Sequence, residues 1–213
     1  RSALLALEAG ADGITAHLRE DRRHIKDHDI ERLKNEVPLP LNLEMAATDE
    51  MLAIALRVKP HAVCLVPEKR AELTTEGGLD VVALEKKLTP YIKKLQDNGS
   101  RVSLFIAANK EQIEAAKRTG AKVVELHTGS YAEKPSEENL TTIINSAQYA
   151  HNLGLEVHAG HGLNYKNVAE IATIPEIVEL NIGHFLIGEA VFVGLKEAIT
   201  QMRKIMNNAR DNL

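Results

Sequence analysis

Gly13-Ile14-Thr15-Ala16-His17-Leu18-Arg19-Glu20-Asp21-Arg22-Arg23-His24 is the stretch whose reading decides the fold. Its first residues suit a short β-strand, and it then stops abruptly in histidines, arginines and acids. A turn that only joined two elements would not need such a concentration of ionisable groups. The same pattern returns along the chain: Leu41-Asn42-Leu43-Glu44, Cys64-Leu65-Val66-Pro67-Glu68-Lys69-Arg70, Glu125-Leu126-His127-Thr128-Gly129, His158-Ala159-Gly160-His161-Gly162 and Asn181-Ile182-Gly183-His184. Polar chemistry at the C-terminal ends of successive strands is the layout of a parallel α/β barrel with its active site on that face.

Outward from these strand ends the chain alternates strand and helix. The pattern predicts strands near Gly13 to His17, Leu39 to Met45, Ala62 to Val66, Val102 to Ala107, Val123 to His127, Glu156 to Ala159 and Val178 to Ile182. Helices are expected over Asp27 to Glu36, from Thr48 onward, and over Asp80 to Asn98, Asn109 to Thr119, Ser136 to Asn152, Asn164 to Ala172 and Glu189 to Arg210. Most of these stop at a glycine or before a proline. A closed barrel of this class has eight strands. The chain opens at Arg1 inside a helical pattern running to Gly10, so the expectation is one (β/α)8 TIM barrel domain over residues 1–213 whose first strand is missing from this sequence. An open doubly wound sheet would usually carry a G-x-G-x-x-G first turn, and none is present.

At 213 residues, with 44% hydrophobic and 26% charged residues, the composition is that of an ordinary globular domain. A net charge of −4 without a long basic block argues against a nucleic-acid partner. No apolar run approaches the roughly 18 residues of a membrane span, and no export signal is visible, so a cytoplasmic protein without a membrane partner is expected. The single cysteine, Cys64, sits among Ala62, Val63, Leu65 and Val66 and reads as a small buried hydrophobe.

The glycine-rich loops at Gly160-His161-Gly162 and Gly183-His184 follow the last two strands, where this fold habitually binds phosphate. Arg19 is the natural clamp for a second phosphate or a carboxylate. Arg22 and Arg23 are candidates for merely solvated charges. Glu44 ends an otherwise apolar strand in phase with Asn42; such an acid is either ion-paired or raised in pKa, and a raised pKa suits a general base near neutrality. His17 ends its strand beside it. Lys69 and its neighbours Glu68 and Arg70 read as a solvated loop, followed by Thr74-Thr75-Glu76-Gly77-Gly78, suited to covering a substrate. Glu125, His127 and His158 leave a second chemistry open, a divalent-metal site of a phosphosugar epimerase or hydrolase. A barrel that binds a phosphosugar without turning it over is a third.

The stretches GADGITAHLREDRRH (10–24), NLEM (42–45), LVPEKRAELTTEGG (65–78), ELHTG (125–129), AGHGLNY (159–165) and NIGHFLIG (181–188) resemble the pyridoxine 5′-phosphate synthase family, in order and along essentially the whole chain. The resemblance implies a (β/α)8 barrel that condenses 3-amino-2-oxopropyl phosphate with 1-deoxy-D-xylulose 5-phosphate to pyridoxine 5′-phosphate, phosphate and water. It implies that His17 and Glu44 accept protons and His161 donates one. Arg19, His24 and Thr74 would bind the deoxyxylulose phosphate, and Gly162, Gly183 and His184 the aminoketone phosphate. It implies no metal or organic cofactor and a homo-octameric assembly. The family's first strand carries an asparagine, aspartate and histidine motif followed by an arginine, and this sequence does not contain it.

Overall fold

The structure is a computed structural model and describes residues 1–69, 72 and 77–211. Among these, β1 (Ile14–His17), β2 (Leu41–Met45), β3 (Ala62–Leu65), β4 (Arg101–Ile106), β5 (Val123–His127), β6 (Glu156–Gly160) and β7 (Ile177–Asn181) form one sheet in sequential order, every neighbouring pair parallel. Parallel neighbours require a crossover, and helices supply it. These are α1 (Ser2–Glu8), α2 (Asp27–Glu36), α3 (Asp49–Val58), α4 (Val81–Asp97), α5 (Lys110–Arg118), α6 (Gly129–Glu133), α7 (Glu137–Asn152), α8 (Val168–Ala172), α9 (His184–Val193) and α10 (Leu195–Asp211). The sheet curls until its edges approach: the Thr15 hydroxyl of β1 donates to Asn181 Oδ1 of β7 at 2.7 Å. This is the architecture of a (β/α) barrel. No backbone ladder joins β1 to β7 among the described residues.

The two-residue period of the strands separates two interiors. Outward-facing Leu41, Leu43, Met45, Val63, Leu65, Val102, Leu104, Ile106, Val124, Leu126 and Val157 are at most 2% exposed and join one apolar layer with Ile30, Met51, Leu88, Ile92 and Ile113 of the helices. Each such side chain contributes roughly 1.5–3 kcal/mol by leaving water. The inward-facing set, Thr15, His17, Asn42, Glu44, Cys64, Arg101, Ser103, Glu125, His127, Glu156, His158, Glu179 and Asn181, is mostly polar or ionisable. Hydrophobic stabilisation therefore resides between sheet and helices, and the barrel axis is left for chemistry.

The helix starts read from the sequence are held by side-chain caps. Thr48, Asp80, Asn109 and Ser136 accept from the backbone N–H of Met51, Ala83, Gln112 and Asn139, each satisfying one otherwise unpaired donor. Two helices differ from expectation. The expected helix Glu189 to Arg210 is two helices, because Gly194 adopts φ +84°, outside right-handed helical space, and the first of them begins earlier, at His184. The expected Asn164 to Ala172 helix starts only at Val168. Asn167 Oδ1 accepts from Asn164 N–H at 2.7 Å and Asn164 Oδ1 from Lys166 N–H at 2.8 Å, a side-chain-bonded turn that competes with the helix. The short α6 was not expected from the sequence.

Candidate active site

Strand register brings the first pair together. His17 is the β-partner of Glu44 on the adjacent strand, and both project inward at the C-terminal rim. His17 Nδ1 lies 3.8 Å from Glu44 Oε2. On the other side of the ring, Nε2 is 3.0 Å from Glu68 Oε1. Burial raises the Glu44 carboxyl above its ordinary value, opposed by attraction to His17. A carboxyl raised by burial and set beside an imidazole is placed to act in proton transfer.

Beneath this pair lies Glu125, only 2% exposed. Its pKa is driven well up, first by burial and then by repulsion from Glu44 and Glu179. Its Oε2 accepts from Asn181 Nδ2 at 3.0 Å and faces the Cys64 thiol at 3.8 Å. Asn181 is held in turn by Thr15, to whose hydroxyl Asn42 Nδ2 donates at 3.4 Å. Cys64 is fully buried, as its apolar neighbours implied, and burial pushes its thiol pKa well up. The other oxygen of Glu125 points at Gly160, where a β-carbon would run into that oxygen and come within 2.9 Å of the Asn181 carbonyl. Glycine is required there to leave the acid its room.

Across the barrel, His127 and His161 stack with centroids 4.8 Å apart and planes 23° from parallel, and Phe105 meets His127 edge-on at 5.1 Å. His127 is lowered to a pKa of about 4 by burial and by repulsion from His161, so it is neutral at pH 7. Its Nδ1 accepts from Gly129 N–H at 3.3 Å, which leaves the ring proton on Nε2. His161 itself sits at φ +84°, a conformation that costs a non-glycine residue on the order of 1–3 kcal/mol and is met mainly where function demands it. Thr128 holds that turn: its backbone N–H donates to the Gly160 carbonyl at 2.9 Å, and its hydroxyl lies 2.7 and 2.6 Å from the carbonyl oxygens of Gly160 and His161. At Gly162 (φ +80°) a β-carbon would lie 2.6 Å from the Ala132 methyl group.

Gly183 and His184 follow β7 and form the N-cap and first residue of α9, so unpaired helix N–H groups face the same rim as Gly162. Arg19 lies just beyond β1 with Nε 3.4 Å from Asp21 Oδ1, and His24 is exposed in the same loop. Thr74 falls outside the described residues. The structure thus places His17, Glu44, Arg19, His24, His161, Gly162, Gly183 and His184 at the C-terminal ends of β1, β2, β6 and β7. Arg23 is exposed, as a solvated charge should be. Arg22 is not: it pairs with Asp27 and Glu50 and ties the β1 loop to α2 and α3.

Glu68 and Thr128 were missed by sequence reasoning, and one expected grouping does not form. Glu68, read as part of a solvated loop, keeps only 4% of its side chain exposed and touches His17. Thr128 lies within the strand-end stretch ELHTG but was given no role, though its place directly after a strand-end histidine was the available signal. Glu125, His127 and His158 do not converge: His158 lies toward the opposite end with Nε2 2.7 Å from Glu156 Oε1, and no three His, Cys, Asp or Glu among the described residues are arranged to hold a metal ion.

Comparison with known proteins agrees with this layout. The family model described as pyridoxal phosphate biosynthesis protein PdxJ matches residues 1–208. A pyridoxine 5′-phosphate synthase of Roseobacter denitrificans is 60% identical over 99% of this chain and 87% of its own length. The protein of the same name from Rhodospirillum rubrum is 61% identical over 98% and 86%. Among solved structures, KGPDC from Streptococcus mutans superposes with a TM-score of 0.68 at 11% identity, covering 97% of this chain and 92% of that one, a likeness of fold alone. With a family match along nearly its whole length and an ionisable rim built on that fold, the chain belongs to the PdxJ family of pyridoxal phosphate biosynthesis proteins.

Proposed function

We infer that this chain is a pyridoxine 5′-phosphate synthase, an enzyme of vitamin B6 biosynthesis that joins 3-amino-2-oxopropyl phosphate to 1-deoxy-D-xylulose 5-phosphate and releases phosphate and water. The observation that carries the reading is the near-full-length likeness to synthases at about 60% identity. The substrate amine and ketone condense to an imine, and His17 and Glu44, 3.8 Å apart, take and return protons during enolisation and dehydration. His161 gives a proton to a departing group from across the barrel. Arg19, His24 and Thr74 hold the deoxyxylulose phosphate, and Gly162, Gly183 and His184 the aminoketone phosphate. Two phosphate grips hold the reactants near attack distance, and orientation of this kind can supply several kcal/mol of the barrier.

The same proposal takes residues 1–213 as one barrel domain, cytoplasmic and assembled as a homo-octamer. Ile187, Val191 and Phe192 of α9, at 62%, 80% and 84% exposure, support burial of that face against another copy. No described helix is long and apolar enough to cross a membrane. The test is formation of pyridoxine phosphate from both purified substrates by the intact gene product in the presence of EDTA. Product is expected. Tight binding of either phosphate ester without phosphate release, or activity abolished by the chelator, would overturn the reading in favour of an idle barrel or a metal-dependent relative.

A further inference from the structure

Glu68 stands three residues beyond β3, yet only 4% of its side chain is exposed. Both of its oxygens are engaged on the β1 side: Oε1 with His17 Nε2 and Oε2 with the Glu20 N–H, each at 3.0 Å. Its own backbone is fixed by Glu72, whose Oε2 accepts from the N–H groups of Glu68 and Lys69 at 3.1 and 3.2 Å. Lys69 Nζ lies 3.6 Å from Glu20 Oε2, a second tie between the same two loops. Such a carboxylate is not there to be solvated.

A carboxylate oxygen only accepts, so the 3.0 Å contact is attractive when His17 Nε2 carries a hydrogen. In neutral imidazole the other nitrogen is then the lone-pair atom. That atom, Nδ1, is the one on the Glu44 side. We propose that Glu68 is a positioning residue for His17: it holds the ring with its hydrogen on Nε2 and thereby makes Nδ1, beside Glu44, the atom that takes the substrate's proton. The arrangement follows the general logic of a base oriented by a third group. This inference rests on the reading of His17 as a proton acceptor.

The test combines ¹⁵N-histidine NMR of the ligand-free intact protein, which reports the ring tautomer directly, with steady-state kinetics of E68A and E68Q. The wild type is expected to show His17 as the Nε2–H tautomer. E68A should lose that preference and fall about tenfold or more in kcat, with KM for both phosphates changed by less than about threefold. Glutamine keeps an acceptor oxygen for Nε2–H, so E68Q should restore the tautomer and most of kcat. An Nδ1–H ring in the wild type, or wild-type kcat in E68A, overturns the proposal. So does an E68A defect that E68Q fails to restore, because one amide oxygen cannot serve both His17 and the Glu20 N–H and the loss would then belong to the loop tie. The tautomer is read without turnover, so failure of the synthase reading shows separately, as a wild type that forms no product.

Discussion

The two ends of the barrel interior use the same residue types to opposite ends. Toward the N-terminal end, Arg101 Nη1 and Nη2 each lie 2.8 Å from a carboxylate, Glu156 and Glu179, and His158 is wedged between those same two acids. At the C-terminal rim, Glu44, Glu68 and His17 form a similar acid–imidazole–acid array, but no arginine pairs with either acid among the described residues. Around Arg101 the acids have a permanent counter-charge and the cluster is structural. At the rim the ion-pair partner of both acids among the described residues is an imidazole, which can lose its proton. Among the described residues, what separates the two ends is an arginine that pairs with both acids at one of them and with neither acid at the other.

The contrast can be broken or sharpened by measurement. The largest expected effect is at the rim: Glu44→Gln should fold normally and lose about 10²-fold or more in turnover. Steady-state kinetics beside a melting curve check it, and near-wild-type turnover would remove Glu44 from the proton path. Gly160→Ala should next cost on the order of 1–3 kcal/mol in chemical denaturation and lower turnover as well, since the new methyl group displaces Glu125. Arg101→Met should leave Glu156 and Glu179 facing each other without a cation. Because all three are about a third or more exposed, the expected loss is only about 1–2 kcal/mol, and turnover per folded molecule should stay within about twofold. A tenfold loss of turnover there would erase the distinction between the two ends.

The smallest effects are in the pH dependence of stability, where two inward groups act with opposite sign. His127 is depressed to about 4, so the unfolded chain binds its proton first, and the stability it confers is lost as pH falls from about 6.5 toward 4. His127→Asn should flatten that acid slope of the melting temperature. Glu125 is raised, so the folded state keeps a proton that the unfolded chain releases, and stability is lost as pH climbs above the unfolded value near 4.5. Glu125→Gln should therefore melt higher than wild type at pH 8, with the gain vanishing toward pH 4. Parallel melting profiles for wild type and Glu125→Gln would show the acid to be ionised in the fold.

Much of the fold was legible because strand-end chemistry and helix punctuation are local. Thr48, Asp80, Asn109 and Ser136 cap where their residue types suggested, and every expected strand lies within two residues of its observed start. The misplaced helix boundaries share one cause: Gly194 and the Asn164–Asn167 turn act through backbone angles and side-chain bonds that apolar periodicity does not encode. In the site, Glu44 stood out because a lone acid on an apolar strand demands an explanation. Glu68 did not, because an acid between a proline and a lysine in a loop is ordinary until β1, two strands away in the sheet, brings His17 to it.

The sequence by itself determined the alternation of elements, the class of barrel and the family, since these depend on periodicity and on long motifs read in order. Tertiary structure alone decided which histidines and acids meet. His17 and His158 are both inward-facing strand histidines flanked by glutamates, and only the curled sheet shows that Arg101 reaches the acids around one of them and not the other. Pairing of charges across strands depends on distances between residues far apart in the chain, and so does the proton chemistry that pairing permits or suppresses.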